Sequence, residues 1–434
     1  MPTQAQTPFR IAIAGLGTVG AGAIELMTQN KDMLAARCGR PIDLVAVSAR
    51  DRAKDRGLDI SGYDWVDNPV ALAERNDVDA VVELIGGSDG PALALAKAAL
   101  SRGRCVVTAN KALIAHHGAT LAQLAESHGA GLRFEAAVAG GIPIVKALNE
   151  GLAGTRTRQI LGILNGTCNF VLTEMEKTGA SFEDTVRRAQ DLGYAEADPS
   201  FDLDGIDTAH KIAILGAMAF GLPPSADGFF IEGIRAISAV DIDYARELGY
   251  RIKLLGVARM ADGRVDLRVH PCMVPAASAL AQVDGATNAV MVDSAGLGQT
   301  VYEGQGAGAG PTASAVLADV VDLARGACAP AFGMRADQLR GLPRLDVSEH
   351  EGCFYIRLRV EDKPGVIAEV SAILRDHDVS VQSLIQRGKA AEGGVYLVLT
   401  THLSSERAVS DAVAAIARSS HVLVAPTMLR IEED

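Results

Sequence analysis

The sequence carries no basic run. Its 41 Lys and Arg stand against 53 Asp and Glu, a formal net charge of −12, whereas a polyanion partner demands clustered cations that release counterions. Nucleic acid is therefore not an expected partner. Paired cysteines are missing too: Cys38, Cys105, Cys168, Cys272, Cys328 and Cys353 show no C-x-x-C or Cys/His spacing, so they read as reduced, mostly buried thiols rather than a zinc or redox centre. No apolar run is long enough for a bilayer, because the most apolar stretch, 212–224, is short and broken by Gly and Pro. The N-terminal MPTQAQTP lacks the basic and apolar regions of a secretory leader. A soluble, cytoplasmic chain is expected. Aromatics are scarce at 4%, whereas Gly is abundant and 48% of residues are hydrophobic, a composition suited to closely packed α/β layers.

What is present falls into three parts. From Phe9 to about Glu135, β-rich runs at 10–14, 42–48, 80–85, 104–108 and 132–135 alternate with Ala/Leu-rich amphipathic segments. That alternation predicts a Rossmann-type, doubly wound parallel sheet whose strand ends open onto one ligand edge. Residues 1–140 form this domain, and an amphipathic helix at 311–330 is expected to return to it. Residues 141–310, with β-rich runs at 159–164, 253–259 and 289–293, predict an α+β substrate and dimerisation domain with its own sheet. Residues 345–434 read β-α-β-β-α-β, a ferredoxin-like plan.

The strand RIAIAG runs into GLGTVG, which places Gly15, Gly17 and Gly20 around Thr18 and Val19 at the head of a helix. The first Gly turns the chain, the second admits a pyrophosphate and the third packs helix on strand, leaving free N–H groups for the phosphates. The second strand ends on Ser48, Ala49 and Arg50, with Arg52 and Lys54 behind and no carboxylate before Asp51. Basic residues there pair with a 2′-phosphate, so NADP is favoured, with NAD the alternative.

Two lysines stand out. Lys111 follows the strand RCVVTAN at the ligand edge, and Lys211 heads a helix that is apolar all round from 212 to 220. Such a lysine sits in a partly desolvated place. Asp204 is an expected N-cap, and Asp207 lies four residues before Lys211 on the same helical face. On spacing alone, a cap and an ion pair would account for both. The acids upstream, Glu196, Asp198 and Asp202, are expected to converge with Asp207 on Lys211 and to suit a substrate ammonium.

The segment GYAEADPSFDLDGIDTAHK, together with NGTCNF (165–170), TANKALIA (108–115) and GAGAGPTASAV (306–316), resembles the motifs of homoserine dehydrogenase in the same order, over residues 9–330. The resemblance implies interconversion of L-homoserine and L-aspartate 4-semialdehyde, on the route to threonine and methionine. It assigns Lys211 as acid/base residue and Lys111 beside both nicotinamide and substrate oxygen. Glu196, Asp202 and Asp207 would hold the substrate, and Gly306 and Gly308 the cofactor. FEAAVAGGIP matches a block that implies a Na+ bound by backbone oxygens of Glu135, Val138, Gly140 and Ile142. Cys168 stands where Thr or Ser is expected.

DKPGVIAEVSAIL (362–374) resembles the ACT domain, an amino-acid-binding module, which implies effector binding near Asp362 and Gly365, with threonine as the ligand, or dimerisation alone. A homodimer or homotetramer is expected. No kinase-like segment precedes Phe9, so a monofunctional chain is expected. The rival readings are another semialdehyde or imine oxidoreductase on the same framework, and an amino-acid sensor without catalysis.

Overall fold

The computed structural model describes residues 7–387, 390 and 393–432. Its first sheet is built from β1 (Phe9–Ala14), β2 (Ile42–Ser48), β3 (Asp64–Trp65), β4 (Ala80–Glu83), β5 (Cys105–Thr108) and β6 (Leu132–Arg133). All pairings are parallel in the order β3-β2-β1-β4-β5-β6, the doubly wound arrangement that binds ligands where the strand order reverses. The last strand is shorter than its sequence suggests, because Glu135 enters a 3-10 turn with both carboxylate oxygens on the N–H groups of Val145 and Lys146. Helix Ala309–Ala324 returns to this sheet. Val316, Leu317, Val320 and Val321 join a core with Ile11, Ile13, Ile24 and Val82.

The second sheet contains β7 (Thr157–Ile163), β8 (Phe230–Ile231), β9 (Tyr250–Ala261), β10 (Arg264–Pro275), β11 (Thr287–Ser294) and β12 (Gly298–Gln305). It does not stop there. The C-terminal β13 (Glu351–Val360), β14 (Val381–Arg387), β15 (Val395–Thr401), β16 (Ser404–Ser405) and β17 (Thr427–Ile431) continue it. The 11-stranded sheet runs β12-β11-β7-β9-β10-β17-β13-β15-β14, with β8 on β10 and β16 on β13. Thus the middle domain does not keep a sheet to itself as expected. The edge strand of the ferredoxin-like unit lies parallel to β10, pairing Cys272 with Arg430 and Met273 with Ile431, which satisfies backbone groups that two free edges would expose.

Side chains lock this seam. Arg268, 1% exposed, meets Asp266 at 2.9 Å and Glu432 at 3.1 Å. Arg430 is held by Glu406, with Nε donating to Oε2 at 2.9 Å, and by Glu232 at 3.1 Å. Tyr355 and Arg357 of β13 both donate to Asp241, on a helix of the middle segment. Among the described residues no helix is long and apolar enough to cross a membrane.

Candidate active site

At the ligand edge of the first sheet, Gly15 (φ +105) turns the chain beneath Leu84, whose carbonyl oxygen an added Cβ would meet at 2.3 Å. A Cβ added at Gly20 would fall on the Gly15 oxygen, whereas one at Gly17 would face open space. The helix Thr18–Gln29 begins there with no side-chain cap, so the N–H groups at Thr18 and Val19 are offered to whatever fills the space. The open space at Gly17 beside free helix N–H groups leaves room for a phosphate, and the loop therefore fits a dinucleotide. Arg50 and Arg52 are exposed beyond β2. Arg56, which sequence reasoning missed, returns to the loop and donates to Leu16 O at 3.2 Å, with Arg52 and Arg56 each 5.8 Å from the Trp65 ring.

The same edge aims Lys111. Buried Glu83 accepts the Thr108 hydroxyl at 2.6 Å, and Thr108 receives the N–H of Asn110. Asn110 caps the helix Lys111–Ser127 through Leu113 N and donates to Gly87 O at 2.6 Å. From this fixed start Lys111 Nζ reaches Asp207 Oδ1 at 2.7 Å, while Lys211 Nζ meets Asp207 Oδ2 at 2.7 Å and Leu164 O at 2.6 Å. Burial pushes the Asp207 carboxyl up, but the charges of Lys211 and Lys111 outweigh it and hold it below the ordinary carboxylate range. Burial lowers the Lys211 ammonium from its usual value, with Asp207 opposing and Lys111 reinforcing.

A cleft of about 750 Å³ gathers Lys111, Glu196, Asp202, Asp207, Lys211, Gly306 and Gly308. Two expected acids turn away. Asp198 is exposed and accepts Ser200 N at 3.1 Å in a local turn, so it does not converge on Lys211. Asp204 is not the N-cap, because left-handed Gly205 (φ 84) starts the helix Ile206–Phe220 and Asp204 pairs with Arg235 instead. Cys168 is fully buried with its Sγ on Asp202 O at 3.2 Å, and burial pushes its thiol well up. It is a neutral filler beside the site. Missed by sequence reasoning were Asn165, which donates at 2.8 Å to both Asp202 Oδ1 and Asp207 Oδ2, and Thr167, on Asp202 Oδ2 at 3.1 Å.

The glycine loop and the cleft are joined by packing. Gly22 approaches Ala309 O closely enough that a Cβ would sit 3.2 Å away, just after Gly306 and Gly308. Behind Gly306 lies the 135–142 turn, where Ala139 (φ 54) and Gly140 (φ 48) are both left-handed. Glu135 O and Ile142 O already accept Val138 N and Ile144 N, at 3.3 and 2.8 Å. In the C-terminal unit, left-handed Gly365 (φ 96) starts the helix Val366–Asp376 with no side-chain cap, beside exposed Asp362.

A doubly wound sheet with an open phosphate loop, set against a lysine- and carboxylate-lined cleft, defines a nicotinamide-dependent oxidoreductase acting on a small polar substrate. Family models described as "Homoserine dehydrogenase", "Homoserine dehydrogenase, NAD binding domain" and "ACT domain" match residues 143–321, 15–135 and 354–419. A homoserine dehydrogenase of Neisseria gonorrhoeae is 43% identical over 431 residues, covering 98% of this chain and 99% of its own. The crystal structure of a homoserine dehydrogenase from Thiobacillus denitrificans superposes with a TM-score of 0.93 at 43% identity, covering 99% of each chain. A hyperthermophilic archaeal homoserine dehydrogenase in complex with NADPH matches with a TM-score of 0.62 at 27% identity, covering 73% of this chain and 97% of that one. The chain belongs to the homoserine dehydrogenase family, with a C-terminal ACT domain, and interconverts L-homoserine and L-aspartate 4-semialdehyde with a nicotinamide cofactor.

Proposed function

We propose that Lys211 moves the proton in this reaction and that Lys111 holds the substrate oxygen. The observation that carries the reading is the shared carboxylate: one buried aspartate fixes both ammonium groups at 2.7 Å inside the cleft. A bound nicotinamide would supply the hydride acceptor for the carbinol carbon. Two of the three Lys211 donors are engaged by Asp207 and Leu164 O, so the third position remains for the substrate hydroxyl. Burial favours the neutral amine, the form that removes the hydroxyl proton during oxidation. Glu196, Asp202 and Asp207 supply the acceptors for the substrate ammonium.

The preferred cofactor is NADP, supported by Arg50, Arg52, Lys54 and Arg56 beyond β2 and by the NADPH held by the archaeal relative. The carbonyls of Glu135, Val138, Gly140 and Ile142 would hold a monovalent cation such as Na+, a hard ion suited to an all-oxygen donor set. The ACT domain takes threonine at the turn formed by Asp362 and Gly365, where a helix start without a side-chain cap would receive the amino-acid carboxylate. Paired copies make a homodimer or homotetramer, and six free cysteines fit a reducing cytoplasm.

The test follows reduced-nicotinamide absorbance with homoserine and either NADP+ or NAD+, with and without threonine, in wild type and Lys211→Ala. Expected is homoserine-dependent reduction in wild type, faster with NADP+, suppressed by threonine and abolished in the variant. Retained turnover in Lys211→Ala would remove its role, and no turnover in wild type would sink the assignment.

A further inference from the structure

The end of β7 prepares two things at once. Leu164 offers its carbonyl to Lys211 Nζ, and the next residue, Asn165, turns its side chain to the acids that face that lysine. Asn165 is 5% exposed and is the N-cap of the helix Gly166–Thr178, accepting Cys168 N on Oδ1 at 2.8 Å. An N–H can only donate, so this bond fixes which end of the carboxamide is oxygen. Both hydrogens of Nδ2 then point the opposite way, one to Asp202 Oδ1 and one to Asp207 Oδ2, each at 2.8 Å. One side chain thereby ties together the helix Gly166–Thr178, the short helix Ser200–Leu203 and the helix Ile206–Phe220.

We propose that Asn165 is a positioning residue, whose amide holds Asp202 and Asp207 at one separation so that they receive the substrate ammonium together. The chemistry calls for an amide. Two carboxylates in a partly buried cleft repel each other, and a bridging Lys or Arg would relieve that by neutralising the charge the substrate needs. A neutral amide donates to both without adding a cation to the two lysines that already pair with Asp207, so the charge of Asp202 stays available to the substrate. Thr167 completes the arrangement by fixing the second oxygen of Asp202, at 3.1 Å. This inference rests on the reading of Asp202 and Asp207 as substrate acceptors.

The simpler alternative is that Asn165 only caps its helix, and two variants separate the roles. Ser and Asp are as good at an N-cap as Asn, so Asn165→Ser and Asn165→Asp both keep an acceptor for Cys168 N. Neither can donate to the two aspartates as the amide does, and Asp adds a third negative charge. Thermal midpoints and steady-state kinetics would be measured on the full chain across pH. In Asn165→Ser the KM for homoserine is expected to rise at least tenfold, with a smaller change in kcat and an unchanged KM for the nicotinamide cofactor. In Asn165→Asp the acid limb of the kcat/KM profile for homoserine is expected to move to higher pH as well. If both variants fold and keep a homoserine KM within twofold of wild type, Asn165 is a cap only and the proposal fails. A wild-type chain that does not oxidise homoserine would instead overturn the functional reading, before either variant is compared.

Discussion

Asp207 keeps its charge in a place that would ordinarily strip it. Burial disfavours the carboxylate, and the charges of and hydrogen bonds from Lys211 and Lys111 outweigh that cost. Its folded pKa lies below the unfolded one, so its contribution to stability is present above the ordinary carboxylate range and is lost as pH falls through the depressed value. The same carboxylate raises the Lys211 pKa against burial. Asp207→Asn therefore drops the lysine further, and the acid limb of kcat/KM for homoserine oxidation, set by loss of the Lys211 proton, is expected to move to lower pH. The plateau should fall by roughly a hundredfold as both lysines lose their anchor. A pH–rate profile of the variant checks this, and an upward or absent shift would show that Lys211 is not the titrating base. The Lys211–Asp207 pair was legible in sequence because four residues on a helix is a fixed geometry. The Lys111–Asp207 contact was not, since it spans two domains, and Asp198 and Asp204 misled because proximity along a loop says nothing about direction.

At the scale of elements, the glycine loop separates folding from binding within three residues. A methyl on Gly20 meets the Gly15 carbonyl, so Gly20→Ala overpacks the turn and should cost about 1–3 kcal/mol of stability. A methyl on Gly17 meets nothing in the protein, so Gly17→Ala should cost only the N-cap preference for Gly over Ala, at most about 1 kcal/mol. It should nevertheless raise the cofactor KM at least tenfold, about 1.4 kcal/mol. Parallel melts and cofactor titrations test the contrast, and normal cofactor affinity in Gly17→Ala would move the phosphates elsewhere. The strand–Gly–helix signature made this loop readable. β10 was missed for a physical reason: Asp266, Arg268 and His270 alternate along it like solvent-facing residues, yet all three are buried. Asp266 and Arg268 pair with each other, and Arg268 and Arg259 with Glu432 just past β17. β12 was missed because half-exposed and exposed positions alternate along an edge, with too little apolar signal.

On the scale of the whole molecule, the ACT unit is joined to the catalytic body by a shared sheet rather than by a linker. The backbone seam is narrow, two residue pairs between β10 and β17, so the attachment also draws on side chains across it, Tyr355, Leu429 and Ile431 in the central hydrophobic core and the buried ions. Arg430 lies between Glu406 of its own unit and Glu232 of the middle segment. Glu232 in turn donates its N–H to Val269 O on β10, and two residues on, Ile234 donates to Leu203 O beside Asp202. The contacts that hold the regulatory unit in place thus continue into the backbone that carries a cleft carboxylate. Removing one partner of a buried pair leaves the other uncompensated, typically at about 3–5 kcal/mol. Both Glu406 and Arg430 are buried, so Glu406→Gln should lower stability by a sum of that order. Because the sheet is continuous, scanning calorimetry of the full chain should show the ACT unit and the central sheet melting in one transition, which the variant shifts to lower temperature. A separate early transition of the ACT unit in the wild type would mean that the seam is too weak to couple them, and that an effector bound there must reach the cleft by another route.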